Sequence, residues 1–221
     1  MGQHRDHPNH SFFRSRLPVL FLIFFFLGIY TTTVWACTCP GLPPGPVEMF
    51  KKSDVVFLGT GIKAGNSAAI PVTFRVEKVW KGISDAQVIL HLGTMCADSV
   101  GYGSYLIFAH KSKRDGKLYQ IGCSYARPVE NMDVEFQILD LIAKGFKEKK
   151  IYEEILNIAK LHKDINHRVQ AVKLIMRIQR KNLENLPKDT DETLKKLAKN
   201  PDSELSRSAR RALVYLRARR Y

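Results

Sequence analysis

Apolar and polar positions along the chain fall into three regimes. Residues 17–30 form an unbroken apolar run of Leu, Ile and Phe, preceded by Arg5, Arg14 and Arg16 and followed by Thr-Thr-Thr-Val-Trp-Ala. From Asp54 to Cys123 the pattern becomes short runs of β-branched and aromatic residues separated by turn signals. Asp54–Ile62 is continuously apolar, which predicts a buried strand. Ile70–Trp80 alternates through Val72, Phe74 and Val76 and then breaks phase at Val79 and Trp80, so a bulge is expected near its end. Gln87–Leu92, Ser104–Ala109 and Lys117–Cys123 are further strands, the last two joined at Arg114-Asp115-Gly116. Five strands with this turn chemistry predict a small antiparallel barrel.

Past residue 130 the spacing changes to three and four. Asn131–Phe146, Ile151–Leu161, His167–Arg180, Asp191–Lys199 and Ser206–Arg219 are predicted helices, and Val47–Lys52 adds one helical turn before the first strand. Between Pro40 and that turn, Gly-Leu-Pro-Pro-Gly-Pro dictates a rigid extended segment. Two helical units look alike at an offset of 38 residues. Glu154, Leu156, Asp164 and Ala171 match Glu192, Leu194, Asp202 and Ala209, a helix–turn–basic-helix unit that resembles a HEAT-type repeat pair.

Composition adds two constraints. With 45% hydrophobic and 25% charged residues the chain can bury a core, which excludes bulk disorder. The net charge of +14 is unevenly placed. Residues 37–143 carry 11 Lys or Arg against 10 Asp or Glu, whereas residues 144–221 carry 21 against 10. The predicted organisation is therefore a leader over 1–36, a barrel over 37–143 and a basic α-helical part over 144–221, an α+β fold.

Small residues Val34 and Ala36 stand where a signal peptidase reads, so the leader is expected to be cut before Cys37 and the protein exported. A retained anchor is the competing reading, because 17–36 approaches the roughly twenty residues of a spanning helix. Its three threonines weaken that reading. Export permits disulfides, and the four cysteines are Cys37, Cys39, Cys96 and Cys123. A Cys37–Cys39 bridge would strain the disulfide geometry, which leaves two schemes that both tie the mature N-terminus to the middle of the chain.

The blocks Cys37-Thr38-Cys39-Pro40, Phe50-Lys-Lys-Ser-Asp-Val-Val-Phe57 and Val79-Trp-Lys-Gly82 come in that order. They are followed by a lone Cys96, then Tyr105–Ala109 leading through Asp115-Gly116 to Cys123-Ser-Tyr125. Over about residues 37–132 this order resembles the N-terminal, netrin-like domain of the tissue inhibitors of metalloproteinases. The resemblance implies an OB-type five-stranded barrel with bridges Cys37–Cys96 and Cys39–Cys123. It also implies an inhibitory wedge of Cys37, Thr38, Cys39 and Pro40 with Gly93, Thr94 and Met95. In that mechanism the α-amine and carbonyl oxygen of Cys37 chelate the zinc of a partner metalloprotease at its open position, and Thr38 points toward the substrate pocket. Three departures stand out: Lys51 occupies the position of the family's further cysteine, basic helices replace its cysteine-rich second domain, and Gly93-Thr94-Met95 differs from its usual contact segment.

Other chemistry is sparse. His91, His110, His162 and His167 have no Cys, Asp or Glu at ligand spacing, and no Ser-His-Asp order, phosphate loop or His-Glu-x-x-His occurs. No catalytic set and no cofactor are expected. The basic helices lack interleaved aromatics, and with export this argues against nucleic acid. An anionic membrane, polysaccharide or acidic protein is the alternative partner for them. A lipidated Cys37 is the alternative for the N-terminus. It would make the chain a surface-attached interaction module, and an acylated amine cannot chelate zinc.

Overall fold

The computed structural model describes residues 42–63, 71–91, 102–121 and 127–220. The chain enters through helix α1 (Pro46–Lys52), whose proline sits in the first turn, where a missing N–H costs nothing. Strands β1 (Val55–Lys63), β2 (Val72–Lys81), β3 (Gln87–His91), β4 (Gly103–Lys111), β5 (Leu118–Gln120) and the short β6 (Arg127–Pro128) follow. The sheet runs β1-β2-β3-β5-β4-β6, and β1 also pairs with β4, so five strands close into a barrel with β6 added beside β4.

The barrel departs from the expected all-antiparallel arrangement at one seam, where β3 and β5 run parallel through Leu90↔Leu118 and His91↔Tyr119. A ring of five strands cannot alternate direction all the way round, because alternation closes only for an even number. Each hairpin-like neighbour here is antiparallel, so the odd pair falls where β5 returns from β4 to meet β3.

Both faces of β1 over Val55–Phe57 and of β4 over Leu106–Ala109 are buried, which accounts for their continuous apolar runs. Val55, Phe57, Ile107 and Ala109 point into the barrel with Val72, Phe74, Val88 and Leu90. Phe74 lies edge-on to both Phe57 and Tyr105, at centroid distances of 5.8 and 6.2 Å. Val56, Leu106 and Phe108 point outward and are covered by Met49, Met132 and Leu139. The phase break predicted near Trp80 is present. Val79 pairs with Phe57, Lys81 with Val56, and Trp80 is passed over between them. The slip turns Trp80 out of the barrel to stack on Phe136 at 5.6 Å. At Gly82 the backbone is left-handed (φ 82°), and a Cβ there would sit 2.0 Å from the Asp54 carbonyl oxygen, so glycine is required.

Helices α2 (Asp133–Ala143), α3 (Glu148–Leu161), α4 (Ile165–Met176), a 3-10 turn (Arg180–Asn185), α5 (Thr190–Leu197) and α6 (Ser203–Arg220) complete the described chain. Helix α2 serves two cores. Val134 and Ile138 face the helices, while Leu139 faces the barrel. The described residues all fall within one compact unit.

The 38-residue similarity has a structural counterpart in the pairs α3–α4 and α5–α6. Asp164 caps α4 by accepting the Asn166 N–H at 2.8 Å, and Asp202 accepts the Leu205 N–H at 2.7 Å. Ala171 and Ala209 are both fully buried, where a larger side chain would separate the helices. The helix predicted over 167–180 ends earlier, at Met176. Beyond it the backbone of Arg177 and Gln179 makes bonds outside the helix, to the N-terminal segment.

Candidate functional site

The sequence-predicted wedge lies outside the described residues: Cys37, Thr38, Cys39, Pro40, Gly93, Thr94 and Met95. So do Cys96, Cys123 and the leader. What the structure describes is the mount on which that segment would stand. It begins two residues after Pro40 and is built from both halves of the chain.

Arg177 is its centre. Its Nε donates to the Pro43 carbonyl oxygen at 3.2 Å and its Nη2 to that of Pro44 at 2.9 Å, while Nη1 pairs with the Glu135 carboxylate of α2. The Arg177 carbonyl in turn accepts the Gly45 N–H at 3.2 Å. Buried backbone carbonyls need a donor, and a segment with three prolines has few N–H groups of its own to offer. A guanidinium meets that need with a planar fork that reaches two carbonyls and a carboxylate at once.

Glu48 is the second anchor. It is 2% exposed, and its Oε1 accepts both the Gln179 N–H at 3.1 Å and the Asn182 side-chain amide at 3.0 Å. Beside it, burial and then the charge of Glu48 raise the Tyr152 phenol above its ordinary range. Val47 on the same short helix is buried in the helical core, and Met49 in the cluster outside the barrel. Helix α1 is thereby held on three sides.

Its C-terminal end meets the barrel. Lys81 Nζ donates to the Phe50 carbonyl at 3.0 Å and to that of Ser53, placing a cation at the helix C-terminus. Next to it, Trp80 donates its indole N–H to Asp140 Oδ1 at 2.6 Å, and Lys78 Nζ reaches Oδ2 of the same carboxylate at 3.0 Å. Burial pushes the Asp140 carboxyl up, but these two hydrogen bonds together with the charges of Lys78 and Lys144 hold it below its ordinary value. Lys51, at the position where the resembled family has a cysteine, pairs with Glu148 of α3.

Three of the blocks picked out in the sequence are therefore neighbours. Phe50–Phe57 pairs with Tyr105–Ala109 through β1 and β4, and on its other edge with Val79–Lys81 of β2. Sequence reasoning missed Glu48, Glu135, Arg177 and Asn182. The one available signal was Glu48, a carboxylate within the otherwise apolar Pro-Val-Glu-Met-Phe. Its partners lie too far along the chain for spacing to point to them.

This arrangement holds and orients the segment at Pro43–Gly45. Among the described residues no group of three or more His, Cys, Asp or Glu could hold a metal ion, and no helix is long and apolar enough to cross a membrane. Comparison with known proteins gives no matching family model and no matching curated sequence.

Proposed function

We propose that this chain is an exported binding protein with a netrin-like, OB-type barrel. In this reading, the leader over 1–36 is removed and the protein binds and inhibits a zinc metalloprotease through its new N-terminus at Cys37. The observation that carries this reading is the mount: the segment leading back to Pro40 is fixed by Arg177 on one side and by the barrel on the other. The strand order β1-β2-β3-β5-β4, closed by β1–β4 with β3 parallel to β5, supports the OB-type assignment.

The chemistry is that of an occupied open coordination position. A catalytic zinc carries three protein ligands and one exchangeable water. The Cys37 amine and carbonyl oxygen replace that water, Thr38 enters the adjoining pocket, and Gly93, Thr94 and Met95 line the other side. Bridges Cys37–Cys96 and Cys39–Cys123 consume the thiols and stiffen the wedge. A wedge already held in its bound shape loses little ordering entropy on docking. The helical part contributes to that stiffness from behind, through Arg177 and Glu48.

The test is inhibition of a panel of zinc proteases by the mature protein, after intact-mass measurement and N-terminal sequencing have verified a free Cys37 amine and two disulfides. Potent inhibition of at least one member is expected. No inhibition by the verified protein would remove this reading. A lipid adduct on Cys37 would replace it with a membrane-tethered interaction module, because the acylated amine has no lone pair to give the zinc.

A further inference from the structure

Two concavities meet at Asn200, at the turn ends of the two helix pairs. One, of about 510 Å³, is lined by Lys160, Leu161, Arg168, Lys196 and Leu197 together with Asp189 and Glu192. The other, of about 460 Å³, is lined by Pro201, Ser203, Ser206, Arg207, Arg210 and Arg211. Asn200 lines both, so the two adjoin there as arms of one recessed surface.

Its two arms differ in charge. In the first, Lys160 is paired with Asp189 at 2.5 Å and Lys196 with Glu192 at 2.8 Å, so those two cations are already matched. Leu161 stands there with 77% of its surface exposed, although every other leucine and isoleucine of α3 is buried. The second arm has no carboxylate in its lining. Among the described residues, Arg207, Arg210 and Arg211 form no ion pair.

Arg210 is also held from behind. Its Nη2 donates to Ser206 Oγ at 2.8 Å, and that hydroxyl, on a buried serine, donates to the Ala198 carbonyl at 2.7 Å. A fixed guanidinium without a counter-charge, flanked by two more, repels its neighbours and lacks only an anion to relieve them. Because it is already placed, little entropy is lost when an anion arrives.

We propose that this groove binds an extended acidic segment of another protein. Carboxylates sit on Arg207, Arg210 and Arg211, and one apolar side chain lies against Leu161. The matched ion pairs and the exposed leucine of the first arm favour a peptide over a uniform polyanion, which gains nothing from Leu161. The concavity of both arms opposes a flat lipid surface. This inference is independent of the zinc-protease reading, since the groove includes none of the Cys37 wedge.

The test is fluorescence anisotropy with the full mature chain and a labelled ten-residue synthetic peptide of Glu and Asp interrupted by one Leu. Saturable binding is expected, weakened about tenfold or more by Arg207→Glu with Arg211→Glu. The charge-neutral pair Arg207→Gln with Arg211→Gln should weaken it less, and serves if the charge reversal perturbs folding. Leu161→Ser, or Ser in place of the peptide's Leu, should each weaken binding several-fold. Arg217→Glu, exposed on the same helix but outside the groove, should change it less than twofold. The proposal is overturned by absence of peptide binding, or by equal weakening from Arg217→Glu. It is also overturned if a heparin oligosaccharide or phosphatidylglycerol vesicles bind more tightly than the peptide and without dependence on Leu161.

Discussion

Asn182 donates its side-chain amide to Oε1 of Glu48 at 3.0 Å, joining residues 134 positions apart. The bond ties the first described helix to the 3-10 turn between the two helix pairs. It works alongside Arg177, so the N-terminal segment depends on the far end of the chain for its position.

Replacing Arg177 by Ala should expose that dependence. It leaves the Pro43 and Pro44 carbonyls without their donor and takes the guanidinium from beside the buried Glu135 carboxylate. A loss of about 3 kcal/mol is expected, read as a lowered urea midpoint with little change in slope. Arg177→Lys should recover only part of it, since a point charge cannot reach all three acceptors. An unchanged midpoint would show the network to be energetically neutral.

Trp80 makes the acid limb measurable. If the mature chain begins at Cys37, Trp80 is its single tryptophan, because the other is Trp35. The Asp140 carboxyl titrates below its ordinary value, so its contribution is fully present above the unfolded carboxylate range and is lost as pH falls through the lower folded value. Tryptophan emission should therefore hold steady from neutrality to about pH 4 and shift to the red below it. Asp140→Asn should remove the pH step while keeping an acceptor for the indole.

Tyr152 sets the alkaline limb. Its phenol is raised by burial and by the charge of Glu48, so its contribution is fully present below the unfolded tyrosine value. That contribution declines as pH rises above about 10, toward the folded value. Ultraviolet titration should find one tyrosine that ionises only with unfolding. Tyr152→Phe should abolish this late component, and its persistence would assign it to another residue.

Extending the N-terminus tests the zinc chemistry. One Ala added before Cys37 moves the free amine away from the carbonyl with which it would chelate. Inhibition should be abolished while the thermal midpoint of the barrel stays unchanged. Equal potency in the extended protein would refute chelation.

The strands and helices were legible because each buries a face with its own period. The slip at Trp80 was visible as a broken alternation in Val76–Trp80. The parallel β3–β5 seam was not, because direction is set by how many strands close the ring rather than by any residue in them. The early end of the helix at Met176 was hidden for another reason. The local pattern of Ile175 and Ile178 continues the helix, and only the distant acceptors and donors at Pro43, Pro44, Gly45 and Glu48 draw the backbone away. The candidate wedge was legible as a motif alone, with its Cys37-Thr38-Cys39-Pro40 start lying outside the described residues.

The Glu48–Asn182 and Arg177–Pro43 contacts also impose an order of events on synthesis. A chain that emerges N-terminus first exposes Pro43–Pro46 early, yet the groups that seat this segment arrive more than 130 residues later. Closing so large a loop is slow compared with pairing neighbouring strands. The barrel can assemble while its leading segment is still unseated, and seating becomes a late step that reports completion of the helical part. An incomplete chain that stops before Arg177 would thus display a finished barrel with an undocked leading end.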